Sequence, residues 1–252
     1  MSDKSAIEWT DATWNPTTGC SKVSPGCANC YAEQLSLRFR RSTKPWIPAN
    51  AEENVRIHED RFDMPLKWRD PKRIFVDSMS DLFHELVPDW VVARVWQTMA
   101  NAPRHQFQIL TKRPDRMPEI VGRRVAEHGV LANVWLGTSI ENNRWVGRAD
   151  HLRATPAAVR FISAEPLLAA LPDLNLTDID WLIVGGESGS DHRPIREQWV
   201  TDLRDRCQAA DVAFFFKQWG GRTPKAGGRT LEGRTWDEFP VGARSATAVA
   251  AG

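Results

Sequence analysis

The sequence predicts an α/β fold, a partial or nearly closed parallel (β/α)6–7 barrel. Short runs of β-branched or aromatic residues recur along the chain, as expected of strands that are buried on both faces. Segments with apolar residues at helical spacing lie between most of these runs, and this alternation implies a parallel sheet with right-handed crossovers. Polar or glycine-rich residues follow each run, and in parallel barrels such strand ends meet at one mouth, where active sites lie.

The strands and helices follow one another in a regular order. The first strand is predicted around residues 7–9, and the other six are the apolar runs at 74–76, 107–110, 134–136, 159–162, 182–184 and 212–216. Helices are predicted at 31–39, from Asp89 onward, and at 113–128, 142–153 and 197–210. Asp89 is suited to be the N-cap of its helix. Residues 166–180 mix proline and leucine without a clear period, and we expect at most a short helix there.

One domain is expected over residues 1–240. The polar, proline-containing segment near 40–72 interrupts the alternation of strands and helices, and it is predicted to be an insertion on the barrel rim. Residues 241–252 are small and lack any periodic pattern, so we expect a disordered tail.

Composition and charge narrow the class of protein. The hydrophobic fraction of 42% and the charged fraction of 26% are ordinary for a globular domain. The net charge of +1 provides no overall field that would draw the chain onto nucleic acid or an anionic membrane. No apolar run is long enough to span a bilayer, and the first ten residues lack the apolar centre of a signal peptide. We therefore expect no membrane association and a cytoplasmic location.

A cluster of cysteines is the most informative motif. Three of the four cysteines, Cys20, Cys27 and Cys30, fall within eleven residues with the spacing C-x6-C-x2-C. Thiolates are ligands for iron–sulfur clusters or zinc. Three ligands leave one iron of a four-iron cluster open to a small molecule, whereas structural zinc normally has four ligands. Cys207 falls on an apolar helix face and is predicted to be a core residue, which leaves His84 as the nearest candidate to complete a zinc site.

The cysteine motif resembles that of the radical S-adenosylmethionine (SAM) superfamily. The triad lies near the N-terminus, ends in C-x2-C, is followed directly by the aromatic Tyr31, and precedes a partial barrel. The usual superfamily spacing has three residues between the first two cysteines, and this chain has six. The run Gly-Cys-x6-Cys-x2-Cys-Tyr-Ala is similar to that of an uncharacterised, phage-associated branch. That similarity extends over residues 14–219 and includes the segments 77–81, 110–114 and 185–189.

The resemblance implies a barrel of radical SAM type, two cofactors and a mechanism. Cys20, Cys27 and Cys30 would hold a [4Fe-4S] cluster, and SAM would bind its open iron. An electron donor would reduce the cluster, and SAM would be cleaved to a 5′-deoxyadenosyl radical that abstracts hydrogen from the substrate. Whether SAM is consumed or regenerated stays open.

The residues expected around SAM are assigned by their location after the predicted strands. Tyr31 would pack beside the cluster or the adenine. The remaining expected contacts are Ser78 and Ser80 for the amino or carboxylate group, Thr138, Ser139 and Glu141 for the ribose or methionine, and Gly185 and Gly186 for close approach of the backbone to the adenine.

Three charged residues at strand ends are candidate catalytic groups. Glu165, Glu187 and Lys112 could act as general acids or bases or bind the substrate. Equally, the two glutamates could cap the following helices or form ion pairs with Lys112, Arg113 or Lys217 across the mouth. This alternative stays open.

The sequence therefore predicts a radical SAM enzyme whose substrate is unknown. Basic residues at 38–44 are either a solvated helix end or, if they line the mouth, a reason to expect a nucleic acid or nucleotide as substrate. The alternative function is a non-catalytic nucleic-acid-binding module with a structural zinc or iron–sulfur site. No partner protein is indicated.

Overall fold

A seven-stranded parallel sheet organises the chain. The computed structural model describes residues 4–223 and 225–240, so the predicted disorder at 241–252 lies outside the described residues. These residues form nine strands, β1 (Ala12–Trp14), β2 (Thr17–Thr18), β3 (Arg56–Ile57), β4 (Arg73–Val76), β5 (Gln106–Thr111), β6 (Val134–Ser139), β7 (Val159–Ala164), β8 (Trp181–Gly185) and β9 (Ala213–Gln218). The order in the sheet is β1-β4-β5-β6-β7-β8-β9, and every pair is parallel.

Helices connect most of the sheet strands. In the described part of the chain they are α1 (Tyr31–Arg38), α2 (Ala51–Asn54), α3 (Asp89–Ala100), α4 (Met117–His128), α5 (Arg148–Arg153) and α6 (Glu197–Ala209). The α/β class and the parallel sheet are confirmed. Consecutive strand order without a reversal lets the sheet curl, and the result is an open half-barrel. None of the described helices has both the length and the apolar character that crossing a membrane requires.

The two faces of the sheet pack in different ways. In β4, Ile74 and Val76 belong to the large core beneath the helices, whereas Phe75 belongs to a second core on the inner face. That inner core consists of Trp9, Phe75, Trp135, Phe161, Trp181, Ile183 and Phe215. Trp181 lies at its centre, with its ring centroid 5.9 Å from that of Trp135 and 5.9 Å from that of Phe215. Apolar rings therefore fill the inside of the half-barrel near the amino ends of the strands.

The inner face becomes polar toward the carboxyl ends of the strands. Alternate residues of a strand lie on the same face of the sheet. Beyond the aromatic cluster, the inner face therefore carries Ser139, Ser163, Gly185 and Lys217. The half-barrel therefore has a polar mouth at the carboxyl ends of its strands, and aromatic side chains fill its interior near the amino ends.

The first strand was predicted in the wrong place. Residues 7–9 form a turn, and the strand is β1, which pairs with β4 from Ala12 opposite Ile74. The apolar character of 7–9 has another cause. Trp9 is buried in the inner core, and its carbonyl accepts a hydrogen bond of 3.3 Å from the Gln108 amide.

Several predicted helix boundaries also shift. Asp89 is the first helical residue and Pro88 takes the N-cap position, while the Asp89 carboxylate accepts hydrogen bonds from Arg123 and Arg124 of α4. A 3₁₀ turn at Pro114–Arg116 precedes α4, another at Asn143–Trp145 precedes α5, and 166–180 contains no helix. Between α1 and β4, the segment predicted as a rim insertion contains α2, β3 and three 3₁₀ turns, and β3 pairs with β2.

Candidate functional site

The first cysteine is carried to the mouth by the extension of β1. Beyond β1 the chain runs beside the segment that follows β4, where Gly19 pairs with Ser80 and its N–H donates to the Met79 carbonyl at 2.9 Å. Gly19 has φ of +84°, and a Cβ there would lie 1.9 Å from the Asn54 carbonyl oxygen. Only glycine fits this approach, and it directs Cys20 toward the mouth.

Cys20 is held by an arginine from the neighbouring strand end. The Arg113 guanidinium donates to the Cys20 Sγ at 3.4 Å, and it also bonds the carbonyl and hydroxyl of Ser21. Burial raises the pKa of Cys20 to about 12, the charge of Asp81 adds to this rise, and Arg113 opposes it. With no metal bound, the thiol therefore stays protonated at neutral pH.

Cys27 and Cys30 lie at the start of α1. Cys27 ends the 3₁₀ turn Pro25–Cys27, and Cys30 is the N-cap residue of α1. Burial raises the pKa of Cys30, whereas hydrogen bonds from the backbone of Glu33 and Ala32 oppose the rise. Cys27 raises the pKa of both Cys20 and Cys30 through its charge, as expected of a thiol that lies near both.

The donor set suits an iron–sulfur cluster. All three thiols are free and half-buried, and positive charges from Lys112, Arg113 and Arg148 act on them. Thiolates are the usual ligands of such clusters, and nearby cations offset the negative charge of thiolates and cluster. Within residues 4–223 and 225–240, no three His, Cys, Asp or Glu side chains form a ready-made metal site. Binding of a cluster would therefore require the three thiols to move closer together than they lie here.

Two buried glutamates hold the cysteine loop, which we define as residues 20–30. The first is Glu141, which is fully buried after β6. Its carboxylate accepts hydrogen bonds from the Ser24 hydroxyl at 2.5 Å and from Arg148 at 2.9 Å. Gly26 packs directly on it, since a Cβ there would lie 2.4 Å from the Glu141 Cγ. Predicted as a SAM contact, Glu141 instead has its carboxylate occupied by protein groups beneath the loop.

The second glutamate, Glu187, holds the same loop from the end of β8. Its carboxylate accepts from the Asn29 amide at 3.0 Å and from the Arg193 backbone and side chain, and Arg193 in turn donates to the Pro25 carbonyl. Burial raises the pKa of Glu187, but the hydrogen bonds from Arg193 and Asn29 outweigh burial, and the net pKa is lowered. Predicted as a catalytic group, Glu187 is an ionised anchor in this arrangement.

Glu165 lies on the inner wall of the mouth. Its carboxylate forms an ion pair of 3.1 Å with Lys217 of β9 and accepts a hydrogen bond of 3.2 Å from Ser163. Gly185 makes room for it, since a Cβ there would lie 2.6 Å from the Glu165 Oε1. The anticipated pairing with Lys217 across the mouth is present. Both side chains remain partly exposed, so a substrate can reach them.

Lys112 and Tyr31 complete the wall beside the thiols. The Lys112 ammonium lies 3.9 Å from the Glu141 carboxylate, and its charge opposes the rise in the pKa of Cys30 that burial causes. The Tyr31 ring is half exposed, and its hydroxyl donates to the Ser78 carbonyl at 2.6 Å. Tyr31 therefore lies across the opening between α1 and the segment after β4.

The other residues predicted around SAM have mixed positions. The Ser78 hydroxyl donates to the Asn15 side chain, and the Ser80 hydroxyl bonds Thr17, so both secure the chain before Cys20. Thr138 is completely buried and donates to the Thr111 carbonyl, which removes it from the mouth.

Ser139 and the pair Gly185 and Gly186 are surrounded by other protein groups. Ser139 is buried at the end of β6, and its carbonyl accepts from Arg148. Gly186 is required for packing of the backbone, because a Cβ there would lie 2.0 Å from the Trp219 carbonyl oxygen. The expected approach of the backbone to an adenine at Gly185 and Gly186 stays a prediction.

The buried acidic residues after β4 were not predicted. The Asp77 carboxylate accepts from the Thr17 backbone and hydroxyl, and burial raises its pKa to about 7. Asp81 accepts from Thr111, Lys112 and Arg113 and so ties the ends of β4 and β5 together. Both lie in the segment 77–81 that marked a strand end in the sequence, but their partners are distant in the chain.

The candidate fourth ligands for zinc are engaged elsewhere. The His84 ring is buried, with Nδ1 accepting from the Leu86 N–H and Nε2 bonded to the Ser21 hydroxyl. Cys207 of α6 is completely buried in the main core, as predicted.

Comparison with known proteins gives one family. The family described as "Protein of unknown function (DUF5131)" matches residues 4–240. No curated protein and no solved structure matches the chain.

Proposed function

The chain belongs to the DUF5131 family, and we propose that it is an iron–sulfur enzyme of the radical SAM type that acts on an unknown substrate, with a nucleotide or nucleic acid as the substrate class we favour. The observation that carries the proposal is the position of three free thiols over the polar mouth of a curled parallel sheet. A purely structural metal site would have no need of the polar wall below it.

Cys20, Cys27 and Cys30 would hold a [4Fe-4S] cluster through their Sγ atoms. When bound and reduced by an electron donor, the cluster supplies the electron that cleaves SAM to methionine and a 5′-deoxyadenosyl radical, which takes hydrogen from the substrate. The assignment of the fold to the radical SAM type is part of this proposal, and so is a cytoplasmic location, where free thiols stay reduced.

The protein groups have separable tasks in this scheme. Glu141 and Glu187 fix the cysteine loop from two different strand ends. Arg113 and Lys112 offset negative charge at the thiols. The inner aromatic core closes the half-barrel from below and keeps water from reaching the mouth by that route.

The Glu165–Lys217 pair is the best candidate for handling the substrate. Its two side chains are the charged groups of the wall that remain partly exposed while pairing with each other. A carboxylate and an ammonium at 3.1 Å can exchange a proton with a bound substrate or orient its polar groups.

Cluster loading of cysteine variants tests the ligand assignment. After anaerobic reconstitution with iron and sulfide, the natural protein should hold about four irons per chain and show the absorption of a [4Fe-4S] cluster. Cys20→Ala, Cys27→Ala and Cys30→Ala should each lose most of that iron. Cys207→Ala removes the fourth thiol from the core and should keep it.

Zinc is the alternative outcome of the same measurement. A freshly purified protein with one zinc per chain that takes up no cluster would contradict the proposal and favour the non-catalytic binding module. The engaged ring nitrogens of His84 argue against this outcome, because a zinc ligand there would first have to give up Ser21 or Leu86.

A further inference from the structure

A second cavity lies beside the mouth, between the loops that follow β5 and β6. Its volume is about 320 Å³, within the range of small-molecule sites. It is lined by Lys112, Pro114, Asp115, Arg144, Trp145, Gly147, Arg148 and His151. Of this group, the scheme above uses only Lys112 and Arg148, which pair with Glu141 and carry positive charge near the thiols.

The charges around this cavity favour an anion. Three permanent cations line it, Lys112, Arg144 and Arg148, against one carboxylate, Asp115. Lys112 and Arg148 share Glu141 as their carboxylate partner. Arg144 is exposed and forms no ion pair with the residues that the structure describes. The cavity therefore carries positive charge that the protein does not neutralise.

Trp145 adds a flat wall to the cavity. The Arg148 guanidinium lies 4.2 Å from the ring centroid, and stacking of this kind holds its planar donors in place. The site thus offers fixed N–H groups of the kind that bind phosphate oxygens.

We propose that this cavity binds a phosphate group of a nucleotide unit, either as a free nucleotide or within a nucleic-acid strand. The three cations would bind the phosphate, and the Asp115 carboxylate would accept from a hydroxyl or amino group on the same unit. Naming this ligand as the substrate rests on the proposed function. Lys112 makes that link, since it lines the cavity and lies 3.9 Å from Glu141, which holds the cysteine loop through Ser24.

Binding measurements on the reconstituted full-length protein test the cavity directly. The probes are inorganic phosphate, adenosine monophosphate, and fluorescein-labelled single-stranded DNA and RNA of mixed sequence. Arg144→Gln should weaken oligonucleotide binding roughly five- to eightfold at ~0.1 M salt, because one phosphate contact contributes a slope of about 0.7 to 0.9 in log K against log salt. Arg69→Gln is the matched control, an exposed arginine outside the cavity lining.

The outcomes separate this site from the radical chemistry. Tighter binding of an oligonucleotide than of the mononucleotide assigns a nucleic acid, and the reverse assigns a free nucleotide; both support the site. Equal affinity in Arg144→Gln and Arg69→Gln, or no binding of any probe, overturns it. If the natural protein binds a probe in an Arg144-dependent way but does not cleave SAM, the proposed function is refuted and the phosphate site is supported.

Discussion

Glu141 shows how one buried side chain connects the fold to the site. It has no exposed surface, it pairs with Arg148, which is also buried, and it accepts a hydrogen bond from the Ser24 hydroxyl of the cysteine loop. Removing one partner of a buried ion pair leaves the other charge unpaired in a poorly solvated place, which costs far more than the pair itself contributes.

We therefore predict a large loss of stability in Glu141→Ala. Urea unfolding of the protein purified without added iron should show a decrease of roughly 3–5 kcal/mol in the free energy of unfolding. Glu119→Ala breaks the exposed Glu119–Arg123 pair and should change stability by less than about 0.5 kcal/mol. Similar losses in the two variants would show that Glu141 is no anchor.

The sequence identified which residues lie at the mouth, but it did not show what each of them contacts. Strand-end positions identified Glu141, Glu165 and Glu187 as members of one mouth. Whether each faces a ligand or the protein depends on contacts such as Ser24 to Glu141, which join residues 117 positions apart and leave no local pattern. Asn29 and Arg193 were missed for a similar reason, since Asn29 lies 158 positions from Glu187 and the contact of Arg193 to Pro25 spans 168 positions.

At the scale of elements, the cysteine loop depends on the shape of its turn. Gly26 lies where the loop crosses Glu141, and a Cβ would come within 2.5 Å of the Glu141 Oε1 as well as 2.4 Å of its Cγ. A glutamate that is buried and paired cannot move away without losing Arg148 or Ser24.

Gly26→Ala should therefore lift the loop and reduce iron uptake. We expect less than half the iron per chain of the natural protein after reconstitution, together with a destabilisation of roughly 1–3 kcal/mol. Gly122→Ala is the matched control, since Gly122 lies in α4 with nothing near its missing Cβ, and should stabilise by about 0.5–1 kcal/mol. Full iron uptake by Gly26→Ala would contradict the close packing.

Strands were easier to predict than the first edge of the sheet. Six strands appear where apolar runs indicated them. A strand that is buried on both faces is apolar at nearly every position, so it stands out in the sequence as a continuous run. The edge strand β1 has only three residues, whereas the more apolar 7–9 fills the inner core without pairing. An apolar run shows that a segment is buried. At the edge of a sheet, a buried segment need not be the one that pairs with the neighbouring strand.

At the scale of the whole molecule, the half-barrel divides into a sealed end and a polar end. Rings from six of the seven inner-core residues close the amino ends of the strands, and serine, glutamate and lysine occupy the carboxyl ends. The three thiols lie over the polar end, with one cationic cavity beside them. The α/β class and the curled, partial barrel followed from the sequence, whereas the second cavity depends on packing among distant segments.

SAM cleavage by the reduced, reconstituted protein is the most direct test of the central claim. Under anaerobic conditions with dithionite and SAM, the natural protein and Cys207→Ala should both produce 5′-deoxyadenosine and methionine in equal amounts, quantified by liquid chromatography and mass spectrometry. Cys30→Ala should produce neither above the protein-free control. A protein that holds its full complement of iron and sulfide but yields no 5′-deoxyadenosine would contradict the account.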